Sequence, residues 1–200
     1  MAEGKVLIGF SRPFVAVYAN NSGTISYSNG QQLARGVSIS VEPESSDENI
    51  FYADNAAAES AGAVFTGGTA TVTVDGLKDD ARKLIYGLPA AETATVGTDS
   101  VDVYSYNDDM VIPYVGLAYV EMYQEDGAIS YVARVLPKVK FNLATDAANT
   151  KGEEIEWQTQ ELTAQIFRDD TAKHNWNKFT GDLTSEEDAV AYIKSVFAIS

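Results

Sequence analysis

Apolar and polar positions alternate with a period of two along much of this chain, the signature of strands. The clearest case spans 114–141, where YVGLAYVEMY and ISYVARVLPKVKF flank Asp126-Gly127. That dipeptide suits a tight turn with positive φ, so the segment reads as a hairpin. On its first arm Val115, Leu117, Tyr119 and Tyr123 share one face, and Tyr114, Ala118, Val120 and Met122 the other. Neither face is a simple water face. The arm either lies between two layers of one domain or turns one face to another subunit. On the second arm Lys138 and Lys140 alternate with Val139 and Phe141, as in a half-buried strand. Pro137 has no N–H to give a ladder and marks a bulge or a free edge.

Upstream, 5–10 and 14–19 read as a short strand pair broken at Arg12-Pro13. Asn20-Asn21-Ser22-Gly23 is turn chemistry, 24–28 a weak strand, and Asn29-Gly30 another turn signal. From 33 to 41 a half-exposed strand is expected. The stretch 43–68 is least regular, rich in Ser, Ala and acid around an apolar island at Ile50-Phe51-Tyr52-Ala53. It reads as a solvated surface loop or as an arm that orders against a neighbouring subunit. Ala70, Val72 and Val74 alternate with threonines in a strand. Leu77, Ala81, Leu84, Ile85 and Leu88 form one helical stripe, with Asp75 able to cap its start, Asp79 and Asp80 in the first turns, and Gly87 then Pro89 closing it.

Residues 89–100 read as a Thr/Ala linker, 101–106 as a strand, 107–109 as a turn and 142–152 as a polar loop. From 155 to 168 the pattern predicts a long strand with a phase slip, Ile155 and Trp157 pointing one way and Leu162, Ala164 and Ile166 the other, as a β-bulge produces. Residues 176–179 read as irregular. A closing helix is expected over 184–197, with Thr184 and Glu187 as a capping box and Ala189, Ile193, Val196 and Phe197 as its stripe. About nine to eleven strands and two short helices that do not alternate with them give a mainly β chain. The expected fold is an antiparallel β-sandwich or barrel with one flanking helix, a C-terminal helix and a long protruding loop, in a single domain over 1–200.

The 200 residues carry 29 acids and 14 bases, a net charge of -15. No Lys or Arg occurs between Arg35 and Lys78, nor between Lys83 and Arg134, where eight acids fall. This disfavours a surface that grips phosphate and favours solubility and mutual repulsion of copies. Cysteine is absent. Disulfides and thiolate metal sites are therefore excluded, which suits a reducing cytosol. The apolar run at 6–10 is cut by Ser11-Arg12-Pro13, so no secretory signal fits, and no run approaches the roughly 18 apolar residues of a membrane span.

Candidate chemistry is sparse. His174 has no nucleophile beside it in sequence and reads as solvated. Asp79-Asp80, Asp108-Asp109 and Asp169-Asp170 read as turn and cap residues, because neighbours on a strand point to opposite faces. Gly62–Thr69, GAVFTGGT, has the glycine spacing of a phosphate loop, but Gly68 stands where the lysine is needed and a strand follows. No catalytic, cofactor-binding or metal-ligating residue is therefore expected. A hydrolase would need a nucleophile and base that the local sequence does not offer.

Phe51-Tyr52-Ala53-Asp54-Asn55 with Glu59 resembles the YADD-plus-acid segment of the major tail proteins of long, non-contractile-tailed bacteriophages. The resemblance continues through the 69–75 strand, the 77–88 helix, Pro113-Tyr114-Val115-Gly116-Leu117, and Thr150-Lys151-Gly152-Glu153 followed by Glu156-Trp157-Gln158-Thr159. Arg168-Asp169-Asp170 and the closing helix extend it. It departs at Asn55, where an acid is common, and in the first forty residues. Each motif is weakly specific; their order and spacing carry the likeness.

The resemblance implies a structural subunit rather than an enzyme. Such proteins form hexameric rings that stack into a tail tube, with 43–68 as the arm reaching the next ring. Expected partners are further copies of itself and the tape-measure, terminator and distal tail proteins. DNA passes through the lumen without specific binding, and no cofactor or membrane is involved. The expected location is the virion tail, assembled in the host cytoplasm. The alternative reading is an immunoglobulin-like β-sandwich binding or adhesion module that recognises a protein or glycan.

Overall fold

The computed structural model describes residues 4–151 and 156–199. In chain order these form β1 (Val6–Asn21), β2 (Thr24–Gln32), β3 (Gly36–Ser45), β4 (Asn49–Ala53), β5 (Ala56–Ala61), β6 (Phe65–Val74), α1 (Asp79–Tyr86), β7 (Glu92–Val96) and β8 (Asp99–Val103). They continue as β9 (Val115–Glu125), β10 (Ala128–Phe141), β11 (Gln160–Phe167), β12 (Lys178–Phe179) and α2 (Glu186–Val196). One large sheet runs β2-β1-β9-β10-β11-β6-β3, with β12 also pairing β10. β4-β5 and β7-β8 form two small sheets of their own. Every pairing is antiparallel. The architecture is mainly β, a sandwich with two flanking helices, as expected.

The 114–141 hairpin forms as predicted, with positive φ at Asp126 and Gly127 in its turn. Its first arm is buried on both faces, and both are covered within one chain. Val115 and Leu117 pack with Val72, Leu136, Leu162 and the α1 residues Ala81 and Ile85. Ala118 and Val120 pack with Phe14, Val135, the α2 residues Ala189 and Ile193, and Phe197 just past the helix. A Cβ at Gly116 would lie 2.7 Å from the rings of Phe197 and Tyr27, so only glycine lets α2 approach this closely. Of the two readings of this arm, the two-layer one is correct for β9.

Several boundaries differ from expectation. Arg12-Pro13 does not divide two strands; β1 continues through it with a register shift between Ser11 and Phe14. Arg12 has φ 49. This bulge accommodates the proline that cannot donate. β2 likewise passes through Asn29-Gly30, whose irregularity is absorbed opposite a shift at Val15/Val17. Pro137 does sit at a bulge, between Leu136 and Val139, just where β10 takes β11 as a second partner.

The 155–168 strand shrinks to β11; Ile155 lies outside the described residues and Trp157 is coil, so no phase slip within a strand is present. The 89–100 linker is instead the first arm of the β7–β8 hairpin. Residues 176–179 contain the short strand β12. α1 keeps its stripe and its left-handed Gly87 cap, but Asp75 does not cap it and pairs with Arg35 instead. α2 is capped by Ser185, whose Oγ accepts the Asp188 N–H at 3.1 Å, one residue beyond the predicted Thr184/Glu187 box.

Candidate self-association surface

The 43–68 arm takes a definite form. β3 runs to Ser45 and β6 starts at Phe65, so only 46–64 leaves the body, as a hairpin rather than an irregular loop. Asp54 and Asn55 at its tip have φ 52 and 62. Positive φ at both central residues is what a two-residue primed turn needs, and Asp and Asn tolerate it. The root is clamped. Ser46 N–H donates to the Val64 carbonyl at 2.9 Å, and Val64 N–H donates to Ser46 Oγ at 3.1 Å. Phe65 stacks on Trp176 with centroids 4.4 Å apart, and the Arg168 guanidinium donates to the Phe65 carbonyl.

Beyond that root the hairpin forms a sheet by itself. A lone two-stranded ribbon is marginal in water. β7–β8 repeats the situation: it too pairs only with itself, and Val96, Val101 and Val103 stand exposed along it.

The body adds open edges. β2 and β3 end the large sheet. The first half of β1 pairs with β9 but, among the described residues, not with β2, whose register begins at Phe14. Along this open edge Val6, Leu7 and Ile8 are exposed in succession, with Val37 exposed on β3. Between these strands a cleft of about 560 Å³ is lined by Leu7, Phe10, Val37, Val41, Tyr119 and Trp176. An ion pair lies at its floor, Arg134 Nε to Glu121 Oε2 at 2.7 Å, with the Tyr123 hydroxyl donating to the same oxygen at 2.7 Å. Burial opposes the Arg134 charge most, but the hydrogen bonds to Glu121 and Tyr123 and the nearby negative charge together outweigh it and raise the guanidinium pKa. Trp157 is 88% exposed, the most open large side chain here. Unpaired edges and bare aromatics are the features that association covers.

The residues singled out for chemistry fall elsewhere. Exposed His174 places Nδ1 3.3 Å from the Asp169 carbonyl in a loop. Asp79 and Asp80 occupy the first turn of α1, and Asp109 closes a turn on Asn107. Gly67 and Gly68 lie within β6, where a Cβ at Gly68 would meet the Glu42 carbonyl at 2.7 Å.

Asp169-Asp170 is more than a turn. Buried Asp169 accepts from Thr171 Oγ1 at 2.6 Å and from Asn175 N at 2.9 Å, which knots the 169–175 loop. Asp170 accepts from Lys138 at 2.8 Å and from the Tyr18 hydroxyl at 2.7 Å, which ties that loop to the sheet. Burial and then the hydrogen bond to Asp170 push the Tyr18 phenol up to about 12. Local sequence could not separate these two carboxylates, since their partners lie up to 152 residues away. Among the described residues no group of three or more His, Cys, Asp or Glu is placed to hold a metal ion, and no helix is long and apolar enough to cross a membrane.

No family model and no curated protein matches this sequence.

Proposed function

We propose that this chain is a structural subunit of a phage tail tube, assembling with copies of itself into stacked hexameric rings. The observation that carries the reading is the 46–64 hairpin, clamped at its root and, among the described strands, paired only with itself. Such an element gains its stability from a neighbour. The open β1 and β3 edges then serve lateral contacts, since a barrel closed between copies leaves no strand edge bare. Head-to-tail contacts of this kind are heterologous and generate rings or open stacks.

The net charge of -15 per copy suits a lumen that repels DNA phosphate and lets the genome slide. It also opposes spontaneous stacking, so the tape-measure, terminator and distal tail proteins would template length and ends in the virion. On this reading the chain is not an enzyme.

Sedimentation velocity across a wide concentration range tests it. The expected result is a concentration-dependent shift from monomer to ring-sized and longer species. A single monomer peak at every concentration and salt would overturn the reading.

A further inference from the structure

The β7–β8 hairpin is rooted on α1. Gly87 ends that helix, and the chain returning from β8 lays Tyr104 near Lys83, with Nζ 6.0 Å from the ring centroid, and Tyr106 near Tyr86, with centroids 6.2 Å apart. Beyond this root β7 and β8 pair only with each other. Their register sets Glu92 opposite Val103, Ala94 opposite Val101 and Val96 opposite Asp99, so these six side chains share one face. The three valines on it are exposed, with an acid at each end. The hairpin carries no base, and among the described residues Glu92 and Asp99 make no ion pair. An apolar ribbon face flanked by uncompensated acids suits a cationic surface with apolar anchors.

Such a surface lies on the other side of the large sheet. In β10 Val139 and Phe141, and in β11 Leu162, Ala164 and Ile166, belong to the core that α1 covers. Lys138, Lys140, Gln165 and Phe167 alternate with them and face away from it. No residue of β6 or β11 joins the core that α2 covers, so α2 does not shield this part of the outer face. Tyr114 and Phe167 meet edge to face at 5.4 Å and are 40% and 36% exposed. Lys138 and Lys140 place their ammonium groups 4.7 and 5.6 Å from the Tyr114 ring centroid. Asp170 holds Lys138 at 2.8 Å, whereas among the described residues Lys140 has no acid partner and lies opposite uncharged Gln165.

The two surfaces match in both respects, valines to the aromatic pair and acids to the free ammonium. Rooted on opposite faces of one sheet, they meet between copies rather than within one. A contact of two different surfaces is heterologous and repeats into a ring or an open stack. We propose that the β7–β8 hairpin of one copy docks on the Tyr114–Lys140–Phe167 strip of a second copy, its valine face on the two rings and its acids toward Lys140. This names a further contact for the self-assembly proposed above and rests on that reading.

Sedimentation velocity of the full chain reads the contact through paired charge reversals. Glu92→Lys/Asp99→Lys lowers the net negative charge that keeps copies apart, so general repulsion alone would tighten association. Loss of this contact instead weakens it about tenfold, and Lys140→Glu should do the same. The triple variant, with the charges exchanged, should return to within about threefold of wild type. Melting curves should be unchanged, since none of the three side chains is ion-paired in its own chain. The absence of cysteine allows a second measurement. Val101→Cys and Gln165→Cys proteins, mixed and oxidised, should give a disulfide-linked heterodimer in excess of the homodimer of either alone. If wild type assembles, three results would each overturn the docking and leave the tube reading standing: association unchanged or tightened by Glu92→Lys/Asp99→Lys, no recovery in the triple variant, or no excess of heterodimer. Wild type that stays monomeric at every concentration would overturn both.

Discussion

Asp169 and Asp170 are neighbours with different work. Burial opposes ionisation of Asp169, yet hydrogen bonds from Thr171 and Asn175 outweigh it and hold the carboxyl below its ordinary range. Lys138 and then Tyr18 do the same for Asp170. Depressed folded pKa values contribute stability that is complete above the unfolded carboxyl pKa of about 4 and is lost as pH falls through the folded values. Urea midpoints should therefore hold from pH 7 to about 5 and drop steeply below about 4. Asp170→Asn should flatten that drop, which circular dichroism can follow. Asp169→Ala leaves several donors unpaired and should cost about 1–3 kcal/mol at neutral pH.

Gly87 supplies a separate residue-scale check. At φ 60, with a Cβ placed 1.9 Å from the Val111 carbonyl, Gly87→Ala should destabilise by about 1–3 kcal/mol in the same assay. Trp157→Ala should do the opposite of a core change. Thermal stability should stay within about 0.5 kcal/mol of wild type, while association measured by sedimentation weakens by about 2 kcal/mol, roughly 30-fold.

Elements were most legible where one local rule decided them. The Asp126-Gly127 hairpin, the α1 stripe with its Gly87 stop and the closing helix follow from turn chemistry and period, and they form nearly as read. Prolines and Asn-Gly misled where tertiary pairing overrode them: β1 and β2 run on through Arg12-Pro13 and Asn29-Gly30 because their ladders with β9 and each other absorb the extra residues as bulges. The 46–64 hairpin reads as a loop or arm, and β7 as part of a linker, because Ala, Thr and Ser give little alternation. Trp157 is placed in a strand by its phase with Ile155, but such a period does not say whether the covering surface belongs to the same chain. The open edges depend on strand order and could not be seen in sequence at all. The 46–64 hairpin carries its own prediction. Replacing 49–61 by a short Gly-Ser turn should leave the melting curve cooperative, since the large sheet does not include it, and should abolish long species in sedimentation.

For the whole molecule, charge and exposed apolar surface oppose one another. On the tube proposal, copies bearing -15 repel, while exposed Val6–Ile8, Trp157 and the two small hairpins supply the short-range attraction. Repulsion between solvated charges is screened within about 8–10 Å at 0.1–0.15 M salt. Rising ionic strength should therefore speed assembly. β9 does not contribute to that attraction, because both its faces are already covered by its own chain. On that proposal, interlocking would come from edges and arms. Electron microscopy of the concentrated protein, with and without the 49–61 hairpin, measures this most directly. The account predicts rings and hollow tubes from the intact chain and at most single rings from the shortened one. Tubes of equal length from both, or separate compact particles from the intact chain at every salt concentration, would contradict it.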